Sequence, residues 1–261
     1  MCLFFFLNYN IVMNKINILG IDINYKIEKT GKPILLFIHG YESSQEIINP
    51  IIKLKRSYDI VSLDLPGFGK SNFIGKVSIE FYAEIIKEFI NELKLENLTL
   101  LGHSMGGAIS MFVSKSDKIK KIILINPLNP FTYSTSKEKI TPALMAKEII
   151  ERSKNKLKSQ NVIGLFSMAL DYKNKNKYLI HNQFLNNGWQ SNELHDAYKD
   201  GAFKAIGISS SDDRVVLPLS IEKTQKFFGI KFMELKNASH SPFDKEANKI
   251  NDFIEESMRK L

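Results

Sequence analysis

The continuous apolar run Pro33–Ile38 (PILLFI), ending at His39-Gly40, constrains the fold more than any other stretch of this chain. A strand with one wet face alternates polar and apolar residues. A run without alternation is the pattern of a strand buried on both faces. Around it strands and helices take turns. Lys15–Leu19 and Ile23–Lys29 read as a β-hairpin turning at Gly20, Gln45–Lys55 is helical by period, and Asp59–Leu63 (DIVSL) is the next strand. Val77–Leu93 places Ile79, Tyr82, Ala83, Ile86, Phe89, Ile90 and Leu93 at helical spacings, making an amphipathic helix. Leu98–Leu101 is a strand, Met105–Ser114 a helix and Lys121–Ile125 (KIILI) a strand. This β-α-β-α-β succession predicts an α/β fold: a mostly parallel sheet with helices on both faces.

The alternation stops at Asn126-Pro127. Residues 128–200 read as irregular helix rich in Lys and Asn, and contain the only tryptophan, Trp189. It resumes with the strand Ala202–Ile208, a helix near Ile221–Phe228, the strand Ile230–Leu235 and a last helix, Lys245–Arg259. The parse is one core, residues 14–127 and 201–261, with a helical insertion at 128–200. Its 261 residues suffice for a large core, and at 44% hydrophobic the composition is that of a globular protein. Residues 1–13 (MCLFFFLNYNIVM) are expected to be a disordered leader. The apolar run Leu3–Leu7 is too short for a signal-peptide core and has neither a positive flank nor a cleavage site. No stretch approaches the roughly 20 apolar residues needed to span a bilayer, so a cytoplasmic protein is expected. The one cysteine, Cys2, rules out an intrachain disulfide and a cysteine-based zinc site.

Charge opens a different question. There are 36 Lys and Arg against 28 Asp and Glu, a net charge of +8, but only four of the cations are arginines (Arg56, Arg152, Arg214 and Arg259). Arginine is the bidentate reader of phosphate and guanine, so a lysine excess argues poorly for specific nucleic-acid recognition.

Gly102-His103-Ser104-Met105-Gly106 has the form G-x-S-x-G, and it follows a strand and opens a helix. So sharp a turn forces the serine into a strained backbone conformation, and glycine at 102 and 106 lets the neighbouring backbone approach. The turn lifts Ser104 above the strand ends and aims the Met105 amide at the same space, as one oxyanion donor. A serine hydroxyl needs a base, and the base needs an orienting acid. His103 adjoins the serine and should diverge from it, His39 is read as shaping its loop, and His181 and His195 lie in the insertion, where solvated roles are expected. His240 remains, in a loop at the carboxyl end of a strand. The preceding strand leads into Asp212-Asp213, so the order is Ser104, then Asp213 or Asp212, then His240.

These residues resemble the α/β-hydrolase superfamily across roughly residues 22–258. Phe37-Ile38-His39-Gly40-Tyr41 is similar to the family's oxyanion strand end, which implies that the Tyr41 amide is a second oxyanion donor. Asp64-Leu65-Pro66-Gly67-Phe68-Gly69-Lys70-Ser71 resembles its D-x-P-G-x-G-x-S loop, and residues 102–107 its commonest elbow. Asp213-Arg214-Val215-Val216 resembles the family's acid loop, which favours Asp213 over Asp212. His240-Ser241-Pro242-Phe243 resembles its Gly-His-x-Pro-Phe, with Ser239 in place of the glycine and, likewise, Ser210 where glycine often precedes the acid. Gly67–Ser71 also contains the Gly-Lys-Ser end of a phosphate-binding loop. The full pattern needs glycine at 64, where this chain has Asp64, and Pro66 removes an amide such a loop would use.

The resemblance implies that residues 128–200 form a helical cap over the serine. Phe166, Met168 and Trp189, with Leu170, Phe184 and Leu185, are candidates to line an acyl pocket or to bury the cap on the core. The insertion holds 11 Lys and Arg against 7 Asp and Glu, a surplus that would greet anionic substrates or an anionic membrane surface. The function implied is a serine hydrolase of carboxylic esters with small or lipid-like acyl groups, needing no metal or organic cofactor. The same triad would serve a lysophospholipase or monoglyceride lipase, a carbon–carbon bond hydrolase or an acyltransferase. A non-catalytic binding protein is the alternative of another class. Activity should fall as falling pH protonates the histidine.

Overall fold

The computed structural model describes residues 12–72, 78–132 and 192–259. Among these residues eight strands form one sheet in the order β1-β2-β4-β3-β5-β6-β7-β8. They are β1 (Val12–Ile18), β2 (Ile21–Ile27), β3 (Ile34–Ile38), β4 (Asp59–Leu63), β5 (Leu98–His103), β6 (Ile119–Ile125), β7 (Ala205–Ser210) and β8 (Lys231–Leu235). The hairpin β1–β2 is antiparallel and β2 joins β4 antiparallel; every pair from β4 through β3, β5, β6 and β7 to β8 is parallel. β1 begins at Val12, so Val12 and Met13, assigned above to the leader, pair with Ile27 and Lys26. Residues 1–11 lie outside the described residues.

The central strands are buried along nearly their whole length, as their uninterrupted apolar runs require. Alternate side chains feed two cores. Leu36, Ile38, Leu100, Ile122 and Leu124 pack with α2 (Ile79–Glu92) and α3 (Met105–Phe112), while Leu35, Phe37, Leu101, Ile123 and Ile125 pack under Ile250 and Ile254 of the last helix. The helix α2 starts where Ser78 Oγ accepts the Phe81 N–H at 3.1 Å, and its buried face includes Tyr82, Ile86 and Phe89. Around it, every described helix is too short or too polar to cross a membrane.

Two expectations change. The helix expected over Gln45–Lys55 is a 3₁₀ turn, Gln45–Ile48, followed by one turn of α-helix, α1 (Asn49–Ile52). Pro50 supplies no N–H and restricts Asn49 before it, so the hydrogen-bond ladder restarts there. The end of the expected cap belongs to the core. The helix α4 (Asn192–Gly201) buries Leu194, Ala197 and Tyr198 in the core that holds α3, and Tyr198 Oη donates to Leu128 O at 2.7 Å. The remainder of the expected cap, 133–191, lies outside the described residues, and with it Phe166, Met168, Leu170, His181, Phe184, Leu185 and Trp189. The fold closes with α5 (Pro218–Phe228) and α6 (Ala247–Arg259).

Candidate active site

Between the last residue of β5 and the first of α3 stands Ser104 alone, with φ +52° and ψ −117°. Left-handed φ in a residue with a Cβ costs energy, of order 1–3 kcal/mol, and persists only where the surroundings enforce it. Here they do. The Ser104 N–H donates to Ile125 O at 3.0 Å, and Ser104 O accepts the N–H groups of Gly107 and Leu128, each at 2.9 Å. A Cβ on Gly106 would stand 2.1 Å from Ile38 O, and one on Gly102 would stand 2.5 Å from Gly106 O. The two glycines are therefore needed for β5, α3 and the end of β3 to meet at all.

Three side chains from distant loops converge on this elbow. Ser104 Oγ lies 2.9 Å from His240 Nε2, and His240 Nδ1 lies 2.7 Å from Asp213 Oδ2. An ionised carboxylate only accepts, so Nδ1 carries the proton and Nε2 is left to accept from the serine hydroxyl. The other oxygen, Asp213 Oδ1, accepts the N–H groups of Val215 and Val216 at 2.8 and 2.9 Å, which sets its orientation. Asp213 is 3% and His240 8% exposed, whereas Asp212 is exposed and accepts from the Ser211 hydroxyl instead. Asp213 is thus the acid that meets the imidazole.

The end of β3 passes beside the serine, for a Cβ on Gly40 would lie 3.0 Å from Ser104 Cβ. His39 arranges this turn. Its Nε2 accepts the Leu65 N–H at 2.9 Å, so the ring proton sits on Nδ1, which donates to Gly40 O at 2.7 Å. Burial pushes its pKa down to about 4, against the opposing effects of the Gly40 hydrogen bond and the Asp64 charge. The ring is a neutral fixture at ordinary pH. In a trans peptide the carbonyl and the following N–H point opposite ways, so holding Gly40 O turns the Tyr41 N–H away from His39. Tyr41 itself packs edge-on against Phe68 at 5.7 Å, and its phenol is pushed well above its ordinary pKa by burial. Across the elbow, Met105 is the first residue of α3, where an N–H has no acceptor within the helix.

The loop Asp64–Ser71 is held from within. The Asp64 carboxylate, 2% exposed, accepts the Gln45 and Lys70 N–H groups at 2.9 Å and Asn24 Nδ2 at 3.0 Å. Gly69, with φ +54°, fits against it where a Cβ would overlap the carboxylate. The Lys70 amide that a phosphate-binding loop would offer is already committed to Asp64.

His103 diverges from Ser104 as expected: its Nε2 donates to His240 O at 2.9 Å and its ring lies 5.2 Å from Phe243. His195, expected to be solvated, is half-buried and packs on Phe227 and Phe228, 5.1 Å from each ring. Asn126 escaped the sequence reading. It bonds to the carbonyl of His240, and the only local sign was an Asn-Pro pair at a strand end, where Asn tolerates a left-handed backbone.

The family pattern described as alpha/beta hydrolase fold matches residues 33–157. A Mycoplasma pneumoniae protein provisionally named esterase/lipase 2 is 26% identical over 221 residues, 79% of this chain and 82% of its own. Its namesake in Mycoplasma genitalium is 25% identical over 248 residues, 89% of this chain and 91% of its own. Among solved structures, that of the N-acyl homoserine lactonase AidH superposes with a TM-score of 0.75 at 18% identity, covering 96% of this chain and 97% of that one. The chain thus has the α/β-hydrolase fold, and over residues 33–157 its sequence matches the pattern of that family.

Proposed function

We propose that this protein is a serine hydrolase that cleaves carboxylic esters of small or lipid-like acyl substrates. One observation carries the reading: the unbroken chain Asp213–His240–Ser104, with spacings of 2.7 and 2.9 Å, ending on a serine at a strained strand-to-helix elbow. In this mechanism Ser104 Oγ attacks the ester carbonyl carbon while His240 Nε2 takes its proton. Asp213 holds the imidazole in the required tautomer and offsets its positive charge. The N–H groups of Tyr41 and Met105 stabilise the oxyanion. The imidazolium then gives its proton to the departing alcohol, leaving an acyl-serine. Water, deprotonated by His240, frees the acid and restores the serine. All of these groups come from the chain itself, so the reaction needs no metal or organic cofactor.

The names of the Mycoplasma relatives support an ester or lipid substrate, and the partly exposed Ser104 is open to one. The proposed cap narrows to the segment between Leu128 and α4, since α4 packs on the core. The test is labelling with a fluorophosphonate probe beside a panel of p-nitrophenyl esters and lysophospholipids. The wild type should take one label, on Ser104, and hydrolyse at least one ester class, and Ser104→Ala should lose both. A folded Ser104→Ala protein that kept its esterase activity would overturn the assignment. A wild type that takes no label would favour a binding protein on the same fold.

A further inference from the structure

The proposed mechanism gives Asn126 no part, yet its place is costly for a bystander. It directly follows β6, is 1% exposed and holds a φ of +43°. Few residues other than glycine enter that region, and asparagine is one of them. Its backbone N–H donates to Ile208 O of β7 at 3.0 Å, and its neighbour's carbonyl, Ile125 O, holds the Ser104 N–H. Its side-chain nitrogen lies 2.9 Å from His240 O, 2.9 Å from Ser210 Oγ and 3.5 Å from Ser239 O. The two N–H bonds of the amide match the two short contacts. One residue therefore joins the strand end behind the serine, the strand end before the acid loop, and the histidine loop.

His240 most needs such an anchor. The β7–β8 pairing ends at Ser210 and Leu235, and the histidine loop is then tied by the Asn237 N–H to Ser211 Oγ at 2.8 Å and by the Asp212 N–H to Ala238 O at 3.0 Å, which leaves the nearer tie two residues short of His240. The His240 carbonyl itself takes two donors, Asn126 Nδ2 and His103 Nε2, each at 2.9 Å. We infer that Asn126 is a positioning residue: with His103 it clamps the His240 carbonyl, and so sets the reach of His240 Nε2 toward Ser104. The inference rests on the serine-hydrolase reading. Proton transfer requires heavy atoms about 2.6–3.2 Å apart, and a misplacement of about 1 Å can cost on the order of 100-fold in rate.

Two variants test it. Asn126→Gly accepts the left-handed backbone and removes both donors; Asn126→Asp keeps the volume and loses the amide. Saturation kinetics of fluorophosphonate labelling give a half-saturating probe concentration, a maximal rate constant and a labelled fraction. In both variants the maximal rate constant should fall about 10- to 100-fold, while the half-saturating concentration moves less than about twofold and labelling still runs to completion. A purely structural role would instead lower the melting temperature and the labelled fraction, leaving the rate of that fraction unchanged. Either that result or an unchanged rate overturns the inference alone. If Asn126→Gly does not fold, Asn126→Asp decides. A wild type that takes no label overturns the serine-hydrolase reading and the inference with it.

Discussion

Replacing Gly106 by alanine sets two effects of opposite sign against each other. Gly106 lies in the first turn of α3, and helix propensity alone favours alanine there by roughly 1 kcal/mol. The surroundings argue the other way. The added Cβ would stand 2.1 Å from Ile38 O and 2.7 Å from both His39 O and Ile38 C. A carbon approaches a carbonyl oxygen no closer than about 3.3 Å even in a weak hydrogen bond, so the two backbones must separate by about 1.2 Å. No flexible side chain can yield instead, because every one of these atoms is main chain. Overpacking of a tight interior costs typically about 1–3 kcal/mol, which at least cancels the propensity gain. The separation also acts on the proposed chemistry, since it moves the Gly40–Tyr41 peptide away from Ser104. Urea unfolding should show a net loss of up to about 2 kcal/mol, and labelling of the folded fraction should slow by on the order of 100-fold. Gly20→Ala is the control: its φ is +81°, but nothing lies within 4 Å of the new Cβ. It should cost about 1 kcal/mol through backbone strain and leave labelling unchanged. If Gly106→Ala is as stable as the wild type and labels at its rate, the close approach of α3 to β3 is not what shapes the site.

Two further outcomes test the elbow and the buried imidazole. Because Ser104 holds φ +52°, Ser104→Gly should be more stable than Ser104→Ala by about 1 kcal/mol once glycine's entropy in the unfolded chain is allowed for; equal unfolding midpoints would show that the elbow stores no strain. His39 has its pKa lowered by burial from 6.5 to about 4, so the unfolded chain binds the extra proton between those values. Its contribution is whole above about pH 6.5 and is lost as pH falls toward 4, about 3 kcal/mol in all. The His39→Gln variant should show a correspondingly flatter loss of stability over that window in urea titrations, and an unaltered slope would count against the burial argument.

What could be read in the sequence is what depends on neighbours along the chain. PILLFI and DIVSL became β3 and β4 because burial on both faces leaves no room for polar residues, and that pattern is local. Strand ends were less legible. β5 runs on to His103 because Gly102 and His103 pair with Leu124 and Ile125, and β6 starts at Ile119, two residues before its apolar run, because Leu98 meets it there. The elbow showed itself because the required glycines lie two residues either side of the serine, and the order of serine, acid and histidine followed from which strands end in loops. Asn126 did not show itself, because its part consists of bonds to residues 84 and 114 positions away. The ring contacts of His195 were hidden for the same reason: its aromatic partners come from α5, a separate part of the chain.

His39 and His240 show why the proposed base is chosen by its surroundings and not by residue type alone. Both rings carry the proton on Nδ1 and use Nε2 as an acceptor, so their tautomers are the same. They differ in what faces Nε2. For His39 it is the Leu65 amide, which cannot surrender its proton, and the ring is wholly buried and held neutral. For His240 it is a hydroxyl, which can, and the carboxylate on the other side stands ready to offset the charge that results. Proton transfer to His39 would leave a buried cation facing an N–H donor, whereas transfer to His240, as proposed, would leave an imidazolium between Asp213 and Ser104 Oγ. Only the second ring is placed to cycle a proton.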